Sequence, residues 1–155
     1  MFLEFHPNGK FAYVIHNLNS SLSAFSYDEK RGALRVIQTV PTVPVGFKGF
    51  NSCADIHVSP SGRHLYGSNR GHDSIVIFSI NQNNGQLTYL GNQSTLGKSP
   101  RNFLLERTGK FLFAANQGSN SIVTFRVDQE TGSLESTRQV VEVPSPVCMK
   151  LMRVF

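Results

Sequence analysis

Short apolar runs separated by polar turns recur along the whole chain. The central part of the sequence holds four of them, at residues 53–58, 64–69, 75–80 and 87–91. Segments 59–62 and 83–85 interrupt these runs, and their Ser, Pro, Asn and Gly residues are typical of turns between strands. The run 75–80 is almost continuous Ile, Val and Phe, as expected for a strand that is buried on both faces. Because sustained apolar spacing of about 3.6 residues occurs nowhere, the pattern predicts an all-β protein.

The same four-strand unit occurs three times, anchored on Gly9, Gly62 and Gly109. Each anchor is followed by an aromatic residue four positions later, a phenylalanine sixteen positions later and a second glycine twenty-three positions later. The residues at these positions are Tyr13, Tyr66 and Phe113; Phe25, Phe78 and Phe125; and Gly32, Gly85 and Gly132. The extra length of the first copy lies in the Pro/Gly-rich segment 43–50. Self-similarity at a fixed spacing is the signature of a repeat protein.

Four-stranded repeats of about fifty residues are typical of β-propeller blades, whereas a β-trefoil closes with three repeats. Residues 147–152 extend beyond the third unit and read as the first strand of a fourth, for which a closed trefoil has no place. We therefore predict a partial β-propeller in a single domain, 1–155, with three four-stranded antiparallel blades plus the first strand of a fourth. The predicted blades are 1–44, 53–97 and 101–143, and the additional inner strand is 147–152.

Three blades are fewer than the roughly four to eight that close a propeller. They would leave two apolar blade faces open to water, and exposed patches of that size predict association. Two explanations remain open. The sequence is part of a longer protein, which we favour, or the blades complete a ring by self-association through their open faces.

Charge and cysteine content narrow the classes of partner and compartment. The chain has 15 Lys and Arg against 10 Asp and Glu, a net charge of +5, and the basic residues are scattered. They do not alternate with aromatic residues as in a nucleic-acid groove, and no apolar stretch approaches the roughly 18 residues of a membrane span. We expect neither a nucleic-acid nor a membrane partner. Cys53 and Cys148 cannot form a disulfide framework, so we expect reduced thiols and a cytoplasmic location.

Basic residues gather at one end of the predicted propeller. Strands alternate in direction within a blade, so the loop between strands two and three lies on the same face as the links between blades. The basic side chains on that face are Lys48, Arg70, His72, Lys98 and Arg101. An innermost strand near the channel carries His57, with Asp55 two residues earlier on the same side. A ring of cations at a channel mouth predicts binding of a small anion such as a sugar phosphate or carboxylate.

Two of these residues also have structural explanations. His57 is equally consistent with a hydrogen-bonded histidine in a polar channel. Arg70 is also consistent with a solvated loop in which it pairs with Asp73. However, Asn17 and Gln117 occupy the matching positions of the other two copies, so the blade itself does not require a charge there.

The remaining polar positions are less informative. Lys98 and Arg101 fit substrate contact and ordinary surface equally well. Asn69 and Asn116 occupy matching positions, which indicates a structural role in binding turn backbone. The sequence contains no Gly-x-Ser-x-Gly elbow, no phosphate loop and no cysteine pair at zinc spacing.

Several segments resemble the seven-bladed propeller lactonase family. They are ADIHVSP at 54–60, LYGSNRGHDSI at 65–75, KSPRNF at 98–103, ANQ at 115–117 and VPSPVC at 143–148. The family includes the propeller type of 6-phosphogluconolactonase and is related to carboxy-muconate lactonising enzymes. The resemblance runs along almost the whole chain and corresponds to the C-terminal part of a family member.

This resemblance implies hydrolysis of a phosphorylated sugar lactone, 6-phosphogluconolactone in the pentose phosphate route, without a metal or other cofactor. It implies that Arg70 binds the anion or stabilises the oxyanion at the lactone carbonyl. His57 or His72 would move a proton to or from water. The expected substrate-binding residues are Arg101, Lys98, Asp55 and Asn17.

One position departs from the family pattern. Where the family reads Tyr-Val-Ile-Asn-Glu-Leu, this chain reads Tyr-Val-Ile-His-Asn-Leu at 13–18, so Asn17 replaces the expected carboxylate. An amide cannot take over proton transfer from an acid. This departure and the open blade faces favour an alternative, in which the chain is a non-catalytic propeller piece that serves as a binding or assembly module. A trefoil sugar-binding module is the more remote alternative.

Overall fold

A computed structural model of the chain describes residues 1–152 and contains three four-stranded antiparallel sheets. The first sheet consists of β1 (Phe2–Phe5), β2 (Phe11–His16), β3 (Ser21–Asp28) and β4 (Ala33–Pro41). The second consists of β5 (Ser52–Val58), β6 (His64–Arg70), β7 (Ser74–Ile80) and β8 (Leu87–Ser94). The third consists of β9 (Pro100–Leu105), β10 (Phe111–Asn116), β11 (Ser121–Val127) and β12 (Leu134–Glu142). A 3-10 turn at Gln117–Ser119 is the one helical element in residues 1–152.

The strands of each sheet pair in chain order, which is the arrangement of a propeller blade. The prediction of an all-β fold with three four-stranded blades is therefore confirmed. The three separate sheets, stacked face to face, also rule out the trefoil. Within residues 1–152, no helix is long and apolar enough to span a membrane.

Residues 147–152, the predicted additional inner strand, form no β-ladder with any described part of the chain, so this strand stays a prediction. A strand requires a neighbouring strand to receive its backbone hydrogen bonds, and no strand in residues 1–152 pairs with this segment. The segment still lies next to the inner strand of the third blade. The Met149 N–H donates to Asn102 Oδ1 at 2.8 Å.

The apolar core lies between the blades, in two separate clusters. One cluster joins the first two blades and includes Tyr13 and Leu22 from the first and Ile56 and Phe78 from the second. The other joins the second and third blades through residues that include Tyr66, Ile75, Phe103 and Phe125. Each blade interface is thus a sheet-on-sheet contact in which side chains from both inner faces are removed from water.

The repeated tyrosine and glycine form the same contact at both interfaces. Tyr13 Oη donates to the Gly85 carbonyl at 3.1 Å, and Tyr66 Oη donates to the Gly132 carbonyl at 3.0 Å. Burial raises the pKa of both phenols well above the ordinary range, so they remain protonated donors. In the third blade Phe113 occupies the corresponding position and has no hydroxyl group.

The matching asparagines bind the links between blades. Asn69 Nδ2 donates to the Thr42 carbonyl at 2.8 Å, and Asn116 Nδ2 donates to the Thr95 carbonyl at 3.1 Å. All four residues are fully buried, and an unpaired buried carbonyl would cost free energy. The asparagines therefore have the structural role that their matching positions predict.

The hairpin glycines provide a test of how closely the blades approach. Gly85 has φ +74°, and an added Cβ would lie 2.5 Å from Phe11 Cδ1, in the preceding blade. Gly32 is its counterpart in the first blade, with φ +61° and no atom within 4 Å of an added Cβ. We expect Gly32→Ala to lower the free energy of unfolding by about 1 kcal/mol, from the left-handed backbone alone.

Gly85→Ala should cost a further ~1–3 kcal/mol, because Phe11 must move out of a packed interface. Urea unfolding of the two variants, followed by circular dichroism, measures the difference. Equal losses in the two variants would show that the blades are not in close contact at Gly85.

Candidate active site

The inner strands of the three blades lie side by side, with β5 in contact with both β1 and β9. The repeat places Phe2, Asp55 and Asn102 at equivalent positions on these strands. Two residues further along, Glu4 and His57 occupy equivalent positions on β1 and β5. Since alternate residues of a strand face the same side, these two layers line the channel side of the blades.

Asp55 connects the second blade to the third. Its Oδ2 accepts hydrogen bonds from Asn102 Nδ2 at 2.5 Å and from the Phe103 N–H at 3.2 Å. Its Oδ1 accepts the Ile56 N–H at 2.9 Å. The residue is only 6% exposed, and a buried carboxylate is stable when several donors satisfy its oxygens. Asp55 is thus fixed in position by residues of both blades.

A cavity of about 160 Å³ opens above Asp55. Its lining residues are Phe2, Asn17, Ala54, Asp55, Arg70, Arg101, Asn102 and Val147. The structure therefore brings together four of the residues that the sequence singled out: Asn17, Asp55, Arg70 and Arg101. They come from all three blades, since Asn17 belongs to the first, Asp55 and Arg70 to the second, and Arg101 to the third.

Arg70 is anchored by one side of its guanidinium. Nη2 donates to Ser52 Oγ at 2.8 Å and to the Cys53 carbonyl at 3.3 Å, and Nε donates to the Ser52 carbonyl at 3.4 Å. The other terminal nitrogen, Nη1, makes no hydrogen bond within residues 1–152, although a guanidinium has five N–H donors. Burial and the nearby Arg101 lower the pKa of Arg70 from its ordinary value, and the group stays charged at neutral pH. A fixed cation with donors to spare therefore faces the cavity.

Neither arginine is neutralised by a neighbour. In the part of the chain that the structure describes, the ion pairs within 4 Å are Arg31 with Asp28 and His57 with Asp55. Two like charges beside one small cavity repel each other, and an anion between them offsets that repulsion. The arrangement can bind a phosphate, a carboxylate or a developing oxyanion, which guanidinium groups recognise well.

His57 contacts Asp55 but does not line the cavity. Its Nε2 is 3.3 Å from Asp55 Oδ2, and its ring makes an edge-on contact with Phe103 at 4.8 Å between centroids. Burial on its own would lower the pKa of His57, but the hydrogen bond and charge of Asp55 and the charge of Glu4 outweigh it. The pKa of His57 is therefore raised. The His57 ring can therefore influence the cavity only through its contact with Asp55, which lines it.

Two predicted site residues lie elsewhere. His72 Nδ1 is 2.7 Å from Ser74 Oγ, and its ring packs edge-on against Phe47, 4.9 Å away, in the segment linking the first two blades. Lys98 is exposed, and its backbone N–H donates to Ser119 Oγ at 2.9 Å. The structure places neither side chain at the cavity.

Asn17 lines the cavity where the family pattern has a carboxylate. Its backbone carbonyl accepts the Cys53 N–H at 3.2 Å, which attaches this loop to the second blade. Its Oδ1 is buried and has no hydrogen-bond partner within residues 1–152. A buried polar atom without a partner is costly, so this oxygen is available to a donor on a bound molecule.

Sequence reasoning missed Asn102 and Glu4 as site residues. Asn102 holds Asp55, and Glu4 contributes charge to the environment of His57. Both were detectable, because the repeat spacing leads back from His57 to Glu4 and forward from Asp55 to Asn102. Within residues 1–152, no three His, Cys, Asp or Glu side chains converge as metal ligands would.

The charge of Glu4 gives a direct test of the channel electrostatics. A carboxylate near an imidazole stabilises the protonated ring, so Glu4→Gln should lower the pKa of His57. We expect a fall in the midpoint when the His57 ring is titrated by NMR, whereas Glu29→Gln, on an exposed turn, should leave it unchanged. An unchanged His57 midpoint in Glu4→Gln would show that the two inner strands are further apart than the structure places them.

The raised pKa of His57 determines the sign of the pH dependence of stability. A group whose pKa is raised by folding stabilises the folded state fully below its unfolded pKa, which for histidine is about 6.5. That contribution is lost as the pH rises through the folded pKa of His57. His57→Gln should therefore flatten the decline in unfolding free energy that the unmodified chain shows above about pH 6.5.

Comparisons with known proteins show which family the chain resembles. Residues 2–151 match the family model described as lactonase, 7-bladed beta-propeller. The chain is 40% identical to 6-phosphogluconolactonase of Bacillus subtilis over 150 residues, which cover 97% of this chain and 43% of that protein.

Two solved structures have the same architecture. A periplasmic gluconolactonase from Pseudomonas aeruginosa superposes with a TM-score of 0.91 at 35% identity, covering 96% of this chain and 41% of that one. A candidate 6-phosphogluconolactonase from Bacteroides fragilis superposes with a TM-score of 0.90 at 40% identity, covering 98% and 41%. The chain thus spans less than half the length of these relatives. It belongs to the lactonase family of seven-bladed β-propellers.

Proposed function

We propose that this chain carries part of the active site of a lactone hydrolase of the 6-phosphogluconolactonase type. One observation carries the proposal: Arg70 and Arg101, neither of them paired with a carboxylate in residues 1–152, share a cavity with Asp55 and Asn17. A relative named 6-phosphogluconolactonase matches 97% of the chain. The substrate would be a sugar lactone that bears a phosphate group.

The position of Arg70 suits a substrate with two acceptor groups. Arg70 lines the cavity above Asp55 and also a neighbouring cavity of about 250 Å³, together with Ser52, Ser99 and Gln117. A molecule that spans both cavities would contact the guanidinium in its middle. The cavity above Asp55, which Arg101 also lines, would then hold the lactone ring, and the neighbouring cavity would hold its phosphate.

Hydrolysis needs a water molecule, a stabilised oxyanion and a proton acceptor. The oxygen of water forms a bond to the lactone carbonyl carbon while the carbonyl electron pair moves onto oxygen. The Arg70 guanidinium then binds that oxyanion, a role for which removal of one donor typically costs about 100–1,000-fold in rate. Collapse of the intermediate breaks the bond to the ring oxygen, which takes the proton that the acceptor removed from water, and the product is a hydroxy acid.

We assign the proton acceptor to Asp55 in preference to His57 and His72. Asp55 lines the cavity, whereas His57 does not line it and His72 packs against Phe47. A general base must be within hydrogen-bond reach of the water that it activates. Asn102 and His57 hold the Asp55 carboxylate in a single orientation, so both act as positioning residues.

Asn17 favours a second function, an anion-binding or assembly module without catalysis. An amide in place of the expected carboxylate can bind a hydroxyl group through its unpaired Oδ1 but cannot move a proton. If that carboxylate is essential in the family, this chain retains the arginines and binds the anion without hydrolysing the lactone.

We place the reaction in the cytoplasm on the strength of the cysteines. Both thiols are free, and burial raises the pKa of the Cys53 thiol, which lies 3.2 Å from Thr42 Oγ1. One relative is named as periplasmic. Detection of the protein in separated cytoplasmic and periplasmic fractions would therefore decide the point.

Arg70→Ala tests the proposed function. We expect the purified chain to hydrolyse freshly made 6-phosphogluconolactone above the spontaneous rate. Arg70→Ala should reduce the enzymatic rate by about 100-fold or more, because the oxyanion loses its donor. Arg63→Ala is the matched control, since Arg63 is an exposed arginine in a turn outside the cavity.

Anion binding separates the two functions. Calorimetry with 6-phosphogluconate, the product, measures binding without chemistry. Binding that Arg70→Ala weakens, with no hydrolysis above the spontaneous rate, would support the non-catalytic module. If the chain shows no binding and no hydrolysis, both proposed functions are contradicted.

A further inference from the structure

The loop after β6 and the link after β8 meet at the cavity beside Arg70. We call residues 70–73 the Arg70 loop and residues 95–99 the blade link, because the latter connects the second blade to the third. Gly71 of the Arg70 loop and Ser99 of the blade link both line this cavity, whose volume is about 250 Å³. The width of the cavity therefore depends on how far apart the loop and the link lie.

One residue, Asp73, joins the Arg70 loop to the blade link. Its Oδ1 accepts the Gly71 N–H at 3.1 Å and the Ser99 N–H at 2.8 Å. Its carbonyl accepts the N–H and the hydroxyl group of Thr95, at 3.0 and 3.1 Å. Among residues 1–152, every hydrogen bond between the loop and the link goes to Asp73. The sequence allows an ion pair between Asp73 and Arg70, but no such pair lies within 4 Å in the described chain.

On their other sides, the loop and the link are held by different parts of the structure. Gly71 has φ +110°, and an added Cβ would overlap the Phe50 carbonyl oxygen, so the Arg70 loop lies directly against the segment that follows the first blade. The Ser99 carbonyl accepts the Gln117 N–H at 3.0 Å, which attaches the blade link to the third blade. Asp73 thus connects two segments that are otherwise supported separately.

The backbone of Ser99 shows that its position depends on these contacts. Ser99 has φ +54°, in the left-handed region. Residues other than glycine are unfavourable there and keep such a conformation when surrounding contacts hold them. Removal of the hydrogen bond to Asp73 should therefore let Ser99 relax and move away from its place in the cavity wall.

The third blade contains the same connection with an uncharged side chain. Asn120 occupies the position that matches Asp73, with φ +52° against +53°. Its Oδ1 accepts the Ser145 N–H at 2.9 Å, and its carbonyl accepts the Val143 N–H at 2.9 Å. The connection therefore requires an acceptor oxygen at this position and not a charge.

The cavity above Asp55 is less dependent on Asp73. Arg101, which lines that cavity, belongs to β9, and the ladder between β9 and β10 holds this strand in place. Loss of the contact between Asp73 and Ser99 should therefore alter the cavity beside Arg70 and leave the other cavity intact. The two cavities can be tested separately with ligands that have or lack a group for the cavity beside Arg70.

We propose that Asp73 is a positioning residue that fixes the distance between the Arg70 loop and the blade link, and through it the affinity of the site for a phosphate group. The proposal rests on the proposed function for the identity of the ligand, because that function places the phosphate in the cavity beside Arg70. A phosphate held there would contact the Arg70 guanidinium on the loop and Ser99 on the link. Asp73 itself would not touch the ligand.

Calorimetry with a phosphorylated and an unphosphorylated sugar acid tests the proposal. Asp73→Gly removes the acceptor oxygen and suits the positive φ. We expect it to raise the dissociation constant of 6-phosphogluconate about 10-fold or more, because the phosphate loses contacts to one side of its cavity. The dissociation constant of gluconate should not change, since gluconate has no phosphate to place there.

Two variants serve as controls for the calorimetry. Asp73→Asn keeps an acceptor oxygen and should bind 6-phosphogluconate at least as tightly as the unmodified chain does. Asn120→Gly removes the matching connection in the third blade, at the same φ, from a link that carries neither Arg70 nor Arg101. It should leave the dissociation constants of both ligands unchanged.

Amide hydrogen exchange measures the positioning without any ligand. The Ser99 N–H should exchange about 10-fold faster or more in Asp73→Gly, because it loses a hydrogen bond to a charged acceptor. Asp73→Asn should retain most of the protection. Asn120→Gly should release the Ser145 N–H and leave the Ser99 N–H protected.

The outcomes separate this proposal from the proposed function. If Asp73→Gly binds 6-phosphogluconate normally, or weakens the binding of both ligands equally, the positioning role is wrong and the proposed function stands. If the unmodified chain binds neither ligand, the proposed function fails. In that case unchanged exchange of the Ser99 N–H in Asp73→Gly is the separate result that overturns the positioning role.

A second substitution guards against loss of folding. Circular dichroism shows whether the sheets of Asp73→Gly are intact. If they are not, Asp73→Ser replaces it in both measurements, because the first blade has Ser20 at this position with φ +52°. The serine side chain is one bond shorter and cannot reach both N–H groups, so a folded Asp73→Ser with normal Ser99 exchange and normal 6-phosphogluconate binding would overturn the proposal.

Discussion

Contact between the faces of neighbouring sheets holds this structure together. Each blade is only four strands wide and presents apolar side chains on both sides, so it has no interior of its own. Its stability comes from the area that it shares with the next blade, as in other repeat proteins whose units contact only their neighbours. The close approach at Gly85 and Gly132 and the buried hydroxyls of Tyr13 and Tyr66 follow from that shared surface. The channel residues depend on it as well, because the inner strands are aligned only when the sheets are stacked.

The repeat made the blades predictable from the sequence. The spacings from each anchor glycine to the aromatic residue, the phenylalanine and the second glycine are short and occur in all three copies. The turns between strands are marked by their own Gly, Pro, Ser and Asn residues. The absence of a β-ladder at 147–152 has a physical reason. A strand pattern records which side chains face an apolar surface, but strand formation needs a hydrogen-bonding neighbour. The described part of the chain supplies a contact from Asn102 to Met149 and no ladder.

The candidate site was partly predictable for a related reason. Strand direction alone places Arg70, Arg101 and Asn17 at one end of the blades, and strand alternation places Asp55 on the channel side, so these residues meet at one cavity. His72 could not be assigned in this way, since a loop residue takes its direction from tertiary contacts, here with Phe47 and Ser74. Asn102 carries no charge and matches no motif. Its importance is visible only once the inner strands are compared position by position.

The hydrogen bonds of Asp55 make the geometry of the cavity depend on the contact between the second and third blades. Two of its donors, the Asn102 amide and the Phe103 N–H, belong to the third blade, while the carboxylate itself belongs to the second. A slight separation of these two blades would leave each sheet intact and still release the carboxylate from its fixed orientation. Local opening between units generally requires less free energy than global unfolding. On heating, the site would therefore be lost at a temperature where the strands are still paired, and its occupation by a ligand would in turn hold the two blades together.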